Sequence, residues 1–293
     1  MGRTTNVARR RAEAASARER AARARAAAAQ RERRRRLLVV VGSTVAVLAV
    51  LGALVAIGVN SSHPRGDATR VAAPAAVVQD LSGVPASTLD AIGSGTASTP
   101  PKAINAAPLT FNGRPEILYI GAEFCPYCAA ERWALVQALS RFGSFNGLNI
   151  VHSASNDVYP NTPTFSFHGS QYSSDTVSFV SRELETVTGA SLEHPTSAES
   201  ALWKKYTGQG TFPFIDIGGR HVVTAPGYDP AVLKGLTAQQ ISAELADPTS
   251  KVAKAVNGAA NVITAAICKT TNGAPASVCN AAGVVAAAKT LGG

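Results

Sequence analysis

The chain has 293 residues, 46% of them hydrophobic, 6% aromatic, and four are cysteines; this is the composition of one or two globular domains and excludes a wholly disordered chain. The formal charge of +9 is misleading as an average: residues 1–36 hold thirteen Arg and three Glu, a net of +10, while the rest hold fifteen Lys/Arg and sixteen Asp/Glu, a net of −1. The main body therefore has no basic field to attract nucleic acid, and no nucleic-acid partner is expected.

Residues 1–36 read as a basic cytoplasmic tail. An anionic lipid surface is its expected partner, each basic residue there contributing about 1 kcal/mol. Residues 37–59, "LLVVVGSTVAVLAVLGALVAIGV", are uncharged and long enough to cross the roughly 30 Å hydrocarbon core of a bilayer. "RERRRR" precedes the run and only Arg65 follows closely, so the positive-inside rule places the N-terminus in the cytoplasm and the bulk outside. The basic segment and the apolar run are both longer than in a usual signal peptide, and no small-x-small site follows at once, so the run reads as an uncleaved anchor. A single-pass cell-membrane protein with an extracytoplasmic domain is the expectation. Cysteines in that setting can form and keep disulfides.

Residues 60–76, rich in Ser, Pro, Ala and Gly, read as a linker, and 77–293 as the extracytoplasmic domain. Within it, 77–95 suggests one short helix after Pro85 and 96–108 a loop. Asn112-Gly113 is a hairpin-turn signal between two strand-like runs. "EILYIGAEF" (116–124) is the mostly apolar run of a strand covered on both faces. Cys125 and Cys128 follow it directly. Beyond them Trp133, Leu135, Val136, Leu139 and Phe142 recur at helical spacing, with Gly143 to end the helix. "LNIVHSA" (148–154) reads as a strand. Residues 156–207 are ambiguous, since "TFSFHG" and "VSFVSREL" fit strands or short helical pieces, but "TSAESALWKKYTG" (196–208) has the N-cap Thr, third-residue Glu and closing Gly of a helix. "TFPFIDIGGRHVVTAPGYD" (211–229) reads as strand, Gly-Gly turn and strand. From about 230 onward the chain is Ala-rich and helical, broken by a loop at 270–276. The order amounts to an α/β sandwich.

The strand-to-helix junction puts Cys125 at a helix N-terminus, where free N–H groups and the helix dipole favour a thiolate. Cys128 lies one turn on, close enough to close a disulfide, and Pro126 occupies a position that needs no N–H. A redox couple is the reading these features favour. Four alternatives stand beside it. Half of a zinc site would need two more ligands, and no His neighbours a Cys in sequence. An inert structural disulfide would gain little stability from so short a loop. Copper handling by the two thiolates suits the softness of sulfur, although Met1 is the chain's only methionine. A binding or scaffolding module without catalysis is the remaining class. No metal and no bound cofactor are expected.

"EILYIGAEFCPYC" resembles the active-site strand and motif of the thioredoxin superfamily, and "TFPFIDIGGR" resembles its second hallmark, a cis-proline opening a strand that ends in a Gly turn. The resemblance covers about 110–245. The long stretch between Cys128 and Pro213 suggests an insertion, as in the DsbA-like branch. The layout also resembles an uncharacterised prokaryotic family of membrane-anchored thioredoxin-like proteins. The resemblance implies an α/β thioredoxin-like fold with a helical or irregular insertion and an Ala-rich helical C-terminus, preceded by one transmembrane helix. It implies catalysis of thiol–disulfide exchange on exported proteins by Cys125, Cys128 and Pro213. Phe212, Pro126 and Tyr127 would contact substrate, and a membrane redox partner, in one version quinone-linked, would sustain turnover. Family members carry a buried carboxylate six residues before the first cysteine. Tyr119 stands there instead, leaving Glu123 as the nearest acid, or a water, to handle the Cys128 proton.

Cys268 and Cys279 flank the 270–276 loop and read as a structural disulfide, with a second redox pair as the alternative. Trp133 and Trp203 read as core residues and His221 as an exposed or partly buried strand residue. Asp216 reads as solvated. His152 is a weaker candidate to reach the cysteines.

Overall fold

Asn112 and Gly113 both take positive φ, 50° and 75°, the backbone of a tight hairpin turn. The turn joins β3 (Thr110–Phe111) to β4 (Arg114–Gly121), pairing Phe111 with Arg114. The computed structural model describes residues 70–291. β4 is buried from Glu116 to Gly121, as its unbroken apolar run requires. β9 (Ser178–Glu183) lies parallel to it, and β10 (Phe214–Ile217) lies antiparallel on its other side. β11 (His221–Val223) and β2 (Lys102–Ala103) extend the sheet beyond β10. A second sheet joins β1 (Val71–Ala72), β6 (Asn149–His152) and β7 (Pro163–Ser166); a third pairs β5 (Ser144–Asn146) with β8 (Gln171–Ser173).

The helices in chain order are α1 (Ala75–Ser82), α2 (Ala86–Ile92), α3 (Pro126–Leu139), α4 (Ser197–Thr207), α5 (Ala238–Glu244), α6 (Lys251–Thr270), α7 (Ala276–Cys279) and α8 (Ala282–Ala288). Apart from Tyr127, every residue of α3 is buried. A helix buried on all sides belongs in a core, and α3, carrying Glu131, Arg132 and Gln137 under with it, packs against α6 and β7. Many of the α6 side chains are Ala, which lets backbones approach closely. At Gly258 a Cβ would stand 2.5 Å from the Ser94 carbonyl oxygen, so that crossing needs glycine. Gln137 Nε2 donates to Asn257 Oδ1 at 2.6 Å, and Arg141 donates to Asn261 Oδ1 at 2.8 Å, tying α3 and its C-terminal end to α6.

The expected fold class needs correction. The described residues form a mixed α/β structure with strands in three sheets, not one α/β sandwich with a helical or irregular insertion. Residues 156–207 hold three strands, β7 to β9, and one helix, α4. Their aromatics decide this: Phe167, Tyr172 and Phe179 meet one another and Phe145 of β5 at centroid distances of 4.8 to 5.9 Å, and aromatic side chains favour a pleated, half-buried surface. No helix among the described residues is long and apolar enough to cross a membrane, and the expected span 37–59 and basic tail lie outside them. Two helices, not one, occupy the stretch before residue 95, and β1 lies within the expected linker.

α4 begins with a complete capping box between Thr196 and Glu199. Thr196→Ala removes the acceptor for the Glu199 N–H and is expected to lower stability by about 1 kcal/mol, read as a shift of the urea midpoint with an unchanged slope. Cys268 and Cys279 form a disulfide across 11 residues, from the end of α6 to the end of α7. Replacing both by Ala is expected to destabilise by about 3 kcal/mol, the loop-closure entropy for that separation, measurable by urea unfolding of parent and variant without reductant.

Candidate functional site

β4 delivers the chain through Ala122, Glu123 and Phe124 to Cys125, which is the N-cap of α3 with Pro126 in the first helical turn. Cys125 Sγ accepts the Cys128 N–H at 3.2 Å, and its thiol faces the Phe212 carbonyl oxygen at 3.9 Å. Both cysteines are free thiols. Cys125 retains 4% exposure and Cys128 none, so the first is the thiol that an incoming group meets.

The Phe212–Pro213 peptide bond is cis and Pro213 is buried. Phe212 packs beside the thiols with Phe124 and Tyr127. Phe124 meets Phe212 edge-on at 5.8 Å, and Trp203 stacks on Phe212 at 6.1 Å. Tyr127 meets Tyr159 edge-on at 6.0 Å. Trp203 is therefore no plain core residue. It is half-buried, its Nε1 donating to the Thr211 carbonyl at 2.7 Å, and it braces the bend before β10 that carries Phe212. Trp133 is fully buried, as expected, and donates to the Pro163 carbonyl at 2.9 Å. His152 is exposed at the end of β6.

The thiols sit over a buried polar layer. Arg132, one turn after Cys128, is fully buried and donates through Nε and Nη2 to both carboxylate oxygens of Glu183, at 2.9 and 2.6 Å, and through Nη2 to the Ala122 carbonyl. Among the described residues, its Nη1 and the Tyr119 hydroxyl have no hydrogen-bond partner. The Arg132 guanidinium lies 5.6 Å from the Tyr119 ring centroid. Residues 119 and 121 point to one face of the strand, and the Tyr119 ring folds over Gly121 so closely that a Cβ there would stand 2.0 Å from the hydroxyl oxygen.

Glu123, the acid nearest the motif in sequence, is already engaged. It is buried, receives both Nε and Nη2 of Arg70 at 2.7 and 3.1 Å, and accepts the Ser166 hydroxyl at 2.6 Å. Asp216 is the clearest misreading. It is fully buried in the middle of β10, Oδ1 accepts the Gly219 N–H at 2.6 Å, and burial raises its pKa. Strand alternation placed it on a face that α4 and its surroundings cover.

These surroundings split the two thiols. Burial raises the Cys125 pKa, but hydrogen bonds from the Cys128 thiol and N–H, the Arg132 charge and the Tyr127 N–H outweigh it, and the net direction is down. Cys128 goes well up, through burial and its hydrogen bond and charge coupling to Cys125, against the pull of Arg132. Cys125, with its trace of exposure, is thus the readier anion and the fully buried Cys128 holds the proton, the division of labour an attacking and a resolving cysteine need. Burial opposes the charge of Arg132, and Glu183 more than restores it.

Glu131 is a second buried carboxyl on α3. Its Oε2 accepts the Gly227 N–H at 2.8 Å, Oε1 has no partner, and it lines a small cavity with Thr99, Pro101 and Ala259. Burial, against the Gly227 hydrogen bond, raises its pKa to about 8. Sequence reasoning missed Arg132, Glu183, Arg70 and Glu131. The available signal was the charged pair Glu131-Arg132, set in a helix otherwise mostly apolar. Among the described residues, no group of three or more His, Cys, Asp or Glu is arranged to hold a metal ion.

No curated protein and no solved structure matches the chain. Residues 101–269 match a family described as a domain of unknown function, DUF929. The match runs from the loop before β2 to the end of α6 and takes in Cys125, Cys128, Arg132, Glu183 and Pro213. As it spans more than half of the chain, the protein belongs to the DUF929 family.

Proposed function

We propose that the protein is a thiol–disulfide oxidoreductase acting on exported proteins, held at the cell membrane by its N-terminal apolar run with the folded part outside. The observation that carries this reading is the asymmetry of one cysteine pair. Cys125 sits as a helix N-cap with its sulfur held by the Cys128 N–H, its pKa lowered and a trace of exposure, while Cys128 lies fully buried and protonated behind it. The resemblance of "EFCPYC" and "TFPF" to thioredoxin-superfamily motifs supports the same chemistry. Cys125 attacks a substrate disulfide, or receives one, and Cys128 closes the internal disulfide. Phe212, whose carbonyl faces Cys125, stands where a substrate chain would meet the protein. On the helix side stand Tyr127, half-buried, and Pro126, buried beside Cys125. The closed Cys268–Cys279 bridge suits an oxidising compartment. Sustained turnover needs a second redox protein in the membrane, for which a quinone-linked oxidoreductase fits chemically.

The test is a redox titration of the full-length chain in detergent against a defined thiol buffer, following Cys125–Cys128 by mass after alkylation. A reversible two-electron couple is expected. A potential toward about −120 mV identifies an oxidase and one near about −270 mV a reductase. No reversible couple between these limits or near them overturns the proposal.

A further inference from the structure

The resolving step poses a problem that the geometry around Cys128 answers. Cys128 is completely buried, and a thiol must become a thiolate before it attacks. Among the described residues, the carboxyls around α3 are engaged or neutral: Glu131 accepts the Gly227 N–H and burial raises its pKa. Glu123 is bound by Arg70 and Ser166, and Glu183 is bound by Arg132. Tyr119 fills the space under the motif, and burial raises its pKa well above the ordinary value. The charged and titratable groups that act on Cys128 are Cys125 and Arg132, with Glu183 behind the arginine and Tyr119 beside it. Once Cys125 is tied up in a mixed disulfide it carries no charge. Burial still favours the Cys128 proton, and Arg132, one turn along α3, is the cation that opposes it; among the described residues its Nη1 has no hydrogen-bond partner.

We infer that Arg132, steadied by Glu183 and left with an unpartnered Nη1, is the positioning residue that stabilises the Cys128 thiolate as it forms to resolve the mixed disulfide, in place of a carboxylate base. The inference rests on the redox reading of the motif and adds a residue and a mode of activation to it. In the step, the Cys128 thiolate attacks Cys125 Sγ and the Cys125–Cys128 sulfur–sulfur bond forms. The bond from Cys125 to the substrate sulfur breaks, and its electron pair leaves on the substrate thiolate. That thiolate takes up, through solvent, the proton that Cys128 released. The substrate disulfide is reduced and the Cys125–Cys128 dithiol is oxidised. In the opposite direction the same charge stabilises Cys128 as leaving group.

The test reads Cys128 alone. In the full chain carrying Cys125→Ser, Cys128 is the sole titrating thiol, because Cys268 and Cys279 are joined, and its pKa follows from thiolate absorbance near 240 nm. Glu183→Gln keeps an acceptor for the Phe167 N–H but removes the countercharge, so the Cys128 pKa is expected to fall. Arg132→Met with Glu183→Gln removes the cation as well, so the pKa is expected to rise above the parent's by about one pH unit or more. Arg132→Lys keeps the charge but not the bidentate bond and is expected to stay with the parent. If one variant loses the parent's near-ultraviolet dichroism, the others are read against the parent. With Cys125 restored, Arg132→Met with Glu183→Gln is expected to slow release of a preformed mixed disulfide about tenfold, the change in thiolate fraction for one pH unit. Movement of both glutamine variants in the same direction, or of neither, overturns the inference. The titration needs no turnover, so it separates failure of the arginine role from failure of the redox function.

Discussion

Serine in place of Cys128 is expected to stop the protein halfway. Cys125, with its lowered pKa and its trace of exposure, still attacks, but nothing closes the ring behind it. The full chain then accumulates as a covalent adduct with its substrate, seen as a reductant-sensitive band on a non-reducing gel after quenching with an alkylating agent. Multiple turnover on a disulfide-bonded test protein falls by a factor on the order of 10³ or more, the scale of loss when one member of a catalytic unit is removed. Cys125→Ser loses the same turnover yet accumulates no adduct, because its remaining thiol is buried and protonated. Adduct formation by Cys125→Ser but not by Cys128→Ser would reverse the two roles.

Glu131→Gln carries the largest effect expected on stability, and its sign follows from the direction of the shift. The folded chain holds the Glu131 proton up to about pH 8, whereas an unfolded chain releases it near the ordinary 4.5. The fold therefore binds one more proton than the unfolded state between those values, and stability falls as pH rises from about 4.5 to about 8. A span of about 3.5 pH units at about 1.4 kcal/mol each sets an upper limit of roughly 5 kcal/mol. Glutamine keeps an oxygen for the Gly227 N–H and has no charge to bury, so the variant is expected to be more stable than the parent at pH 8 by up to that amount. The difference shrinks toward pH 4.5. Urea unfolding of both chains at pH 5, 6.5 and 8 measures it, and a difference independent of pH would show that Glu131 is not the titrating group.

Both predictions turn on residues of α3, and they mark what local sequence can and cannot reveal. The placement of Cys125, Pro126 and Cys128 was legible because it is written in adjacent letters: an apolar strand, a spacing of one helical turn, a proline at the first position. The Asn112-Gly113 turn, the Thr196 capping box and the Gly-Gly turn between β10 and β11 are local in the same sense. Arg132 and Glu131 were hidden because a charged pair on a helix ordinarily marks its wet side. What buries them is α6, more than a hundred residues downstream, together with β7 and β9. Glu183 answers Arg132 across 51 positions, a pairing no short window contains. Asp216 was misread for the matching reason: alternation along a strand distinguishes two faces but does not say that both are covered. The fold class failed on the stretch 156–207, where Phe165, Phe167 and Phe179 suit strands but single short runs could not arbitrate. The three-sheet arrangement depends on which distant strands those runs meet.

The Tyr119 ring lying over Gly121 has a consequence for how this family can change over generations. The hydroxyl sits where any side chain at 121 would begin, so the two positions are not free to drift independently. A lineage can enlarge residue 121 only after, or together with, shrinking residue 119. A small acidic residue at 119 would in turn leave the Arg132 guanidinium facing a new counterion. Positions 119, 121 and 132 should therefore covary as a set across DUF929 sequences, aromatic with glycine and arginine in one group and a different trio in another. A mixed trio should be one that inheritance seldom passes on.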